Sequence, residues 1–315
     1  MPWLIASLTL LLLALLALLI LFVIFRKTFL VSEQARKATD PYKMPRGFGE
    51  PDPIMVRLIG ELIERPYERV EITARDGTRL VARYHHVADG APLQIQCHGY
   101  RGCAVREFCG GNPIAARLGH NTLLIDQRAH GESEGKVITF GIRERLDVLD
   151  WVEYARARFG EIPIFLVGIS MGGASVLMAS GEPLPPSVVG VIADCPYSDP
   201  GDIICSVIRM MHLKPALAFP LVRMAARLFG GFSLSECSAR EAVKAATVPL
   251  LLLHGEEDRL VPCEMSREIA AAAGERATLH TFPGADHGGS CASAPERYEA
   301  IIAEFCGSCL SARAE

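Results

Sequence analysis

The chain has 315 residues, with 32 basic against 36 acidic, a formal net charge of −4, and half its residues hydrophobic. No basic run or stripe suggests nucleic acid, and so small an acidic excess implies no charged partner. The length suits one α/β domain of about 200–250 residues with shorter appendages, a size that buries a core without disulfide staples.

Residues 3 to 25, WLIASLTLLLLALLALLILFVIF, carry no charge. At ~1.5 Å per residue such a helix reaches about 34 Å, enough for a hydrocarbon core of about 30 Å. A cleaved signal peptide wants a basic start, an apolar core of about 7–15 residues and an A-x-A-like site, and none is evident. Residues 1–30 therefore read as a retained anchor in contact with membrane lipid. Arg26, Lys27, Arg36, Lys37, Lys43 and Arg46 follow it and no Lys or Arg precedes it, so the globular part of this single-pass chain is expected in the cytoplasm. The ten cysteines (Cys97, Cys103, Cys109, Cys195, Cys205, Cys237, Cys263, Cys291, Cys306 and Cys309) are scattered in mostly apolar company. They read as free thiols of a reducing compartment.

Residues 31–66 read as a polar linker carrying Pro41, Pro45, Pro51 and Pro53, then a short amphipathic helix at Ile54–Glu64. The main domain is expected over 67–315. Tyr67–Ala74 and Arg79–His86 read as strands joined by the Asp76-Gly77 hairpin signal. Leu93–Cys97, Asn121–Ile125, Pro163–Gly168, Val188–Ala193, Val248–His254 and Ala277–Phe282 read as further strands. Gly141–Phe159, Ser170–Ser180 and Pro295–Cys306 read as helices. Strands alternating with helices after an opening hairpin predict an α/β fold, a mostly parallel sheet with helices on both faces. The stretch from about 196 to 245 is too long for a simple crossover. It reads as a helical lid insertion over the carboxyl ends of the strands, where α/β ligands bind.

The strongest chemical signal is Gly168-Ile169-Ser170-Met171-Gly172, followed by Gly173, between an apolar strand and a helix. A serine hydroxyl attacks only when a base takes its proton and when it stands clear of the sheet. A sharp strand-to-helix turn achieves the second, and its flanking glycines remove side chains that would clash. Ser170 is thus the candidate nucleophile. His287, in Gly284-Ala285-Asp286-His287-Gly288 after the last strand, is the candidate base. Asp258, in the segment Leu253 to Pro262 after a buried strand, is the preferred acid, with Glu256, Glu257 and Asp194 as competitors. Two backbone amides should hold an oxyanion: Met171, after the nucleophile, and Tyr100, in the loop His98-Gly99-Tyr100-Arg101-Gly102. His98 reads as a support for that loop, and the charges of Asp126 to Ser133 as internal ties between loops.

In this order and spacing HGYRG, DQRAHGES, GISMGG, HGEEDRLVP and GADHG resemble the α/β-hydrolase superfamily, in particular its small bacterial esterase- or lipase-like members, including a membrane-anchored group. The resemblance covers about residues 67 to 306. It implies an α/β-hydrolase fold, Ser170 as nucleophile, Asp258 as acid, His287 as base, and the Tyr100 and Met171 amides as oxyanion donors. Ile169 stands where a polar or aromatic residue is common, which bears on the pocket wall and not on the mechanism. Cys306-Gly307-Ser308-Cys309 lacks the strand-to-helix setting of a redox motif and a second pair for zinc. No metal or organic cofactor is expected.

The expected activity is cleavage of small carboxylic esters with short to medium acyl chains through an acyl-enzyme. The rivals are a peptidase or thioesterase on the same residues, and an inactive membrane-tethered binding module. Met210, Met211, Leu213, Leu217, Phe219, Leu221, Val222, Met224, Leu228 and Phe229 of the insertion read as core packing, as an apolar wall for an acyl chain, or as both. Removing residues 1 to about 30 is expected to leave a soluble, active domain.

Overall fold

The computed structural model describes residues 2–37, 40–44 and 52–314. Pro45, Arg46 and Pro51 of the expected linker lie outside the described residues.

Eight strands form one sheet in the order β1-β2-β4-β3-β5-β6-β7-β8. They are β1 Glu68–Thr73, β2 Arg79–His85, β3 Leu93–Cys97, β4 Asn121–Asp126, β5 Ile164–Ile169, β6 Val188–Asp194, β7 Leu250–Gly255 and β8 Ala277–Phe282. Only β2 runs against its neighbours, pairing antiparallel with β1 and β4. The other pairings are parallel, and both faces carry helices, as the alternating pattern predicts. Side chains along a strand alternate between faces. Leu166 enters the larger core with Leu93, Ile95, Trp151 and Leu177, whereas Phe165 joins Ile192, Leu251, Phe282 and Ile302 on the other side. Gly168 pairs with Cys97 of β3 and Ala193 of β6, so the loops leaving these three strands emerge side by side.

The helix expected from Gly141 begins at Glu144. Phe140 (φ 56°) and Gly141 (φ 88°) lie in the left-handed region and cannot continue a right-handed helix. The Glu144 carboxylate instead accepts from the Thr139 and Gly141 amides at 2.8 and 2.9 Å. The amphipathic helix spans Pro53–Glu64, capped by Asp52, whose carboxylate accepts from the Met55 amide at 2.8 Å. It buries Ile59 and Leu62 beside Val105, Phe108 and Leu124.

The insertion consists of helices Pro200–Met210 and Pro215–Ala225, a π-turn at Ala226–Gly230 and a short helix Ala239–Ala242. Its inward face is Ile203, Ile204, Ile208, Val222 and Ala225. Of the residues expected to pack on the core or to wall an acyl chain, Val222 is buried and Phe219 and Phe229 pack partly against the core, whereas Met210 is 52 % exposed, Met224 48 % and Leu217 72 %.

The apolar N-terminal helix spans Pro2–Thr28. From Trp3 to Ile20 its side chains are exposed, but its C-terminal end is built into the fold. Phe25 and Phe29 are 4 % and 0 % exposed, and they meet Phe229 and Phe232 of the insertion at ring distances of 5.7 and 5.3 Å. The chain then bridges Leu30 to Val137, and Arg36 donates to the Gly131 carbonyl at 3.1 Å. The start of the expected linker is thus stitched to the loop after β4.

Candidate active site

Ser170 sits between β5 and the buried helix Met171–Ser180, with φ 54° and ψ −115°. A non-glycine residue holds such a conformation only when its surroundings enforce it. Here its amide donates to the Asp194 carbonyl of β6 at 2.8 Å. The flanking glycines are required by space: a Cβ on Gly172 would lie 1.9 Å from the Cys97 carbonyl oxygen, and one on Gly168 would lie 2.2 Å from that of Gly172.

The structure brings the three candidate side chains into a line. Ser170 Oγ lies 3.0 Å from His287 Nε2, and His287 Nδ1 lies 2.7 Å from Asp258 Oδ2. The other Asp258 oxygen accepts from the Leu260 and Val261 amides at 2.9 and 2.8 Å. His254, at the end of β7 and fully buried, lies 3.3 Å from Asp258 Oδ2 through Nε2, which also faces the Val261 carbonyl at 2.8 Å. Its Nδ1 is 2.6 Å from Ser266 Oγ, so a neutral ring can donate from Nε2 and accept from the hydroxyl.

The competing acids are elsewhere. Glu256 and Glu257 are exposed, and Glu256 takes the Thr281 hydroxyl at 2.6 Å. Asp194 is buried and accepts from Ser290 and Tyr298, both at 3.0 Å.

Burial works against the Asp258 anion, but hydrogen bonds from His254 and His287 outweigh it and hold its carboxyl down at about 2. Burial likewise opposes the His287 cation, and the Cys195 sulfur and Asp258 carboxylate overcome it, raising the pKa well above the ordinary histidine value. Burial pushes the Cys195 thiol up to about 11, and Asp258 is the carboxylate that His287 faces at 2.7 Å. Among the described residues, the one tight cation-like grouping is Cys195, Asp258 and His287, with ligand atoms within 4.8 Å of one another. Two of these three groups already bond each other. Cys306 and Cys309 are buried in the last helix, with burial pushing their thiols up to about 12 and about 11.

Asp258→Asn should slow turnover by about 10³–10⁴-fold while the protein stays folded, because the imidazole loses its orienting anion. A base works only above its own pKa. The wild-type acid limb of kcat/KM should therefore lie above the ordinary pKa of about 6.5. Without the anion that stabilises His287 in its charged form, the residual activity of the variant should show a limb at lower pH. An unmoved limb, or a crippled Glu256→Gln beside an active Asp258→Asn, would show that the acid has been misplaced.

Around the proposed oxyanion site, the loop amides are occupied except where the sequence wants them open. The Gly99 amide donates to the Glu107 carboxylate, and the Arg101 amide donates to His130 Nε2 at 2.9 Å. Among the described residues the Tyr100 amide has no acceptor, and Met171 stands at the first helical position, where no intrahelical acceptor exists. His98 supports the loop: its Nδ1 is 2.8 Å from the Gly99 carbonyl, and its Nε2 accepts from the Gln127 amide at 3.2 Å. Burial keeps His98 and His130 neutral, lowering their pKa to about 4 and about 3. Asp126–Ser133 ties loops together: Arg128 pairs with Asp147 at 2.6 Å and with Asp76 at 2.9 Å, and Ser133 Oγ accepts from the Val81 amide at 2.8 Å.

The model of the alpha/beta hydrolase family matches residues 97–301, which include this whole constellation. The chain belongs to the alpha/beta hydrolase family. Within the family it is similar to mouse monoglyceride lipase, at 30% identity over 264 residues, covering 70% of this chain and 84% of the lipase. It is 28% identical to the uncharacterized protein YfhR of Salmonella typhimurium, over 70% of this chain and 74% of YfhR. It is 24% identical to YqkD of Bacillus subtilis, whose length it spans to 62%. Among solved hydrolases, a Pyrococcus furiosus esterase superposes with a TM-score of 0.64 at 24% identity, over 85% of this chain and 98% of the esterase. Est1E of Butyrivibrio proteoclasticus, seen with ferulic acid, gives 0.60 at 23% identity, over 78% of this chain and 99% of Est1E. These two likenesses concern the fold.

A cavity of about 440 Å³, walled by apolar side chains together with Arg106, Glu107, Arg117, Asp194 and Glu299, reaches the chain neighbours of Ser170 and His287 but is lined by neither of those two side chains. Its lining includes Ile169, next to Ser170, and Gly288, next to His287, with Val167, Ile192 and Ile302 farther along. Its size falls within the range of about 300–1,000 Å³ usual for small-molecule sites. Glu107, His130 and His254 were not singled out by sequence reasoning. Glu107 and His130 meet Gly99 and Arg101 across 8 and 29 residues of chain, whereas His254 stands only four residues before Asp258 in the same segment, so its place in HGEEDRLVP was the available signal.

Proposed function

We propose that this alpha/beta hydrolase cleaves carboxylic esters by a serine acyl-enzyme route, with its catalytic domain held at a membrane by the N-terminal helix. The observation that carries the reading is the line Ser170–His287–Asp258, at 3.0 and 2.7 Å, beside two open amides. His287 Nε2 takes the Ser170 proton as Oγ attacks the ester carbonyl. The oxyanion is held by the Tyr100 and Met171 amides. Collapse expels the alcohol, which takes the proton back from His287. Water, deprotonated by His287, then attacks the acyl-serine, and the carboxylic acid leaves as Oγ regains a proton. The named activity of the lipase relative supports the ester over a peptide or thioester. The experiment is labelling with a fluorophosphonate, followed by nitrophenyl esters compared with aminoacyl anilides and thioesters. An unlabelled chain would mean a binding module, and preferred turnover of anilides or thioesters would replace the ester.

Two observations support the membrane. Pro2 to Ile20 precede the first buried side chain, Leu21, and such a helical stretch reaches about 28 Å, near the hydrocarbon thickness of about 30 Å. The insertion, whose second helix packs on the N-terminal one, exposes Met210, Met211, Leu213, Leu217, Met224 and Leu228. Arg26 and Lys27 at that end support a cytoplasmic domain.

The acyl chain is assigned to the cavity at Ile169 rather than to the outward lid methionines. Each buried CH₂ adds about 0.8 kcal/mol until the space is full. kcat/KM should rise from acetyl to butyryl or hexanoyl esters and then fall. Ile169→Phe should move the optimum to shorter chains while acetyl turnover stays within about twofold, and Met210→Ala should leave the profile in place. A profile moved by Met210→Ala and untouched by Ile169→Phe would return the acyl chain to the lid.

A further inference from the structure

We propose that Tyr100 and Arg101 are positioning residues through which the end of the N-terminal helix holds the oxyanion loop in place. The inference rests on the serine-hydrolase reading of Ser170. The loop is clamped from within by the Gly99–Glu107 bond and by the Arg101 amide on His130, which leaves the Tyr100 amide open between two fixed neighbours. From outside it is tethered by side chains. Tyr100 Oη donates to the Thr28 carbonyl at 2.7 Å, and Arg101 Nη2 donates to the carbonyls of Lys27 at 2.9 Å and Leu30 at 3.2 Å.

The Lys27 and Thr28 carbonyls, at the end of the helix, are well matched to their donors. The last carbonyls of a helix have no intrahelical N–H partner, and they carry the negative end of its dipole, which suits a guanidinium. The Tyr100 ring stacks on Phe140 at 5.0 Å, and Phe140 meets the fully buried Phe29 edge-on at 5.7 Å. Arg101 itself has φ 50°, a backbone state that relaxes readily once its restraints are lost. The chain leaving the membrane therefore grips the residue whose amide is assigned to the oxyanion. A donor that drifts weakens the transition state more than the bound ester, so the loss should fall on kcat.

The test uses the full chain in nanodiscs, with Tyr100→Phe, Arg101→Gln and the double variant, read by butyryl ester kinetics and by the rate of fluorophosphonate labelling. Tyr100→Phe keeps the ring stack and removes only the bond to Thr28. The double variant should lose about tenfold in kcat and in labelling rate, less than the about 10²–10³ of deleting a donor outright, with KM within about twofold. Arg101→Lys should retain more activity than Arg101→Gln. If the double variant unfolds, Tyr100→Phe alone decides. An unchanged kcat, or a loss carried wholly by KM, overturns the proposal. A wild-type chain that neither labels nor turns over esters would instead defeat the hydrolase reading itself, and the inference would fall with it.

Discussion

Ser170→Ala is expected to lower ester turnover at least about a thousandfold and to abolish fluorophosphonate labelling, with the fold unchanged. The size follows from what a nucleophile supplies. Removing one member of such a line commonly costs several orders of magnitude, leaving only what binding and the oxyanion donors provide. The unchanged fold follows from what Oγ touches. Among the described residues its one hydrogen-bond partner is His287 Nε2 at 3.0 Å, and the strained backbone is set by the Gly168 and Gly172 contacts and by the Ser170 amide on Asp194, none of which needs the hydroxyl. Alanine carries the same Cβ at φ 54°, so it adds no backbone cost. The check is kcat/KM beside a melting curve. A variant keeping more than about a tenth of wild-type turnover would show that the nucleophile is not Ser170.

The parts of this site legible in sequence are those where backbone geometry restricts the residue type. Gly168, Ser170 and Gly172 must make a turn with no room for side chains, so the pattern survives as a string. The strands were legible because their apolar runs are bounded by turn residues, and the sheet's parallel part followed from their alternation with helices. The supporting groups were illegible for a physical reason. His130 reaches Arg101, 29 residues earlier in the chain, only after the strands have taken their places in the sheet, and His254, though four residues before Asp258, meets it only through the turn that follows β7. The lid's orientation was illegible because both of its faces are apolar, Ile203 and Ile208 inward and Met210 and Leu217 outward, and period alone does not say which one meets the core. The docking of the N-terminal helix had one faint mark. Phe22, Phe25 and Phe29 recur at spacings of three and four in a run of aliphatic residues, and they are the side chains that meet Phe229, Phe140 and Phe232.

That aromatic stripe changes where the chain can be cut. Removing residues 2–20 should leave activity within about threefold of the full chain, whereas removing 2–30 should abolish it. The first deletion takes only side chains that the fold does not cover. The second takes Leu21, Phe25 and Phe29, each worth about 1.5–3 kcal/mol on burial, from a domain whose net stability is of order 5–15 kcal/mol. It also strips the carbonyls that receive Tyr100 and Arg101, and it exposes Phe140, Phe229 and Phe232 to water. The longer deletion should therefore aggregate or melt at lower temperature, and any folded fraction should label slowly. The full chain should resist extraction by alkali and dissolve in detergent. The shorter deletion should lose that resistance yet still float with liposomes, because the outward lid face remains. A 2–30 deletion as soluble and active as the full chain would show that the helix end is only an anchor and that the enzyme is complete without it. Full-length protein in the soluble fraction without detergent would remove the membrane from the account.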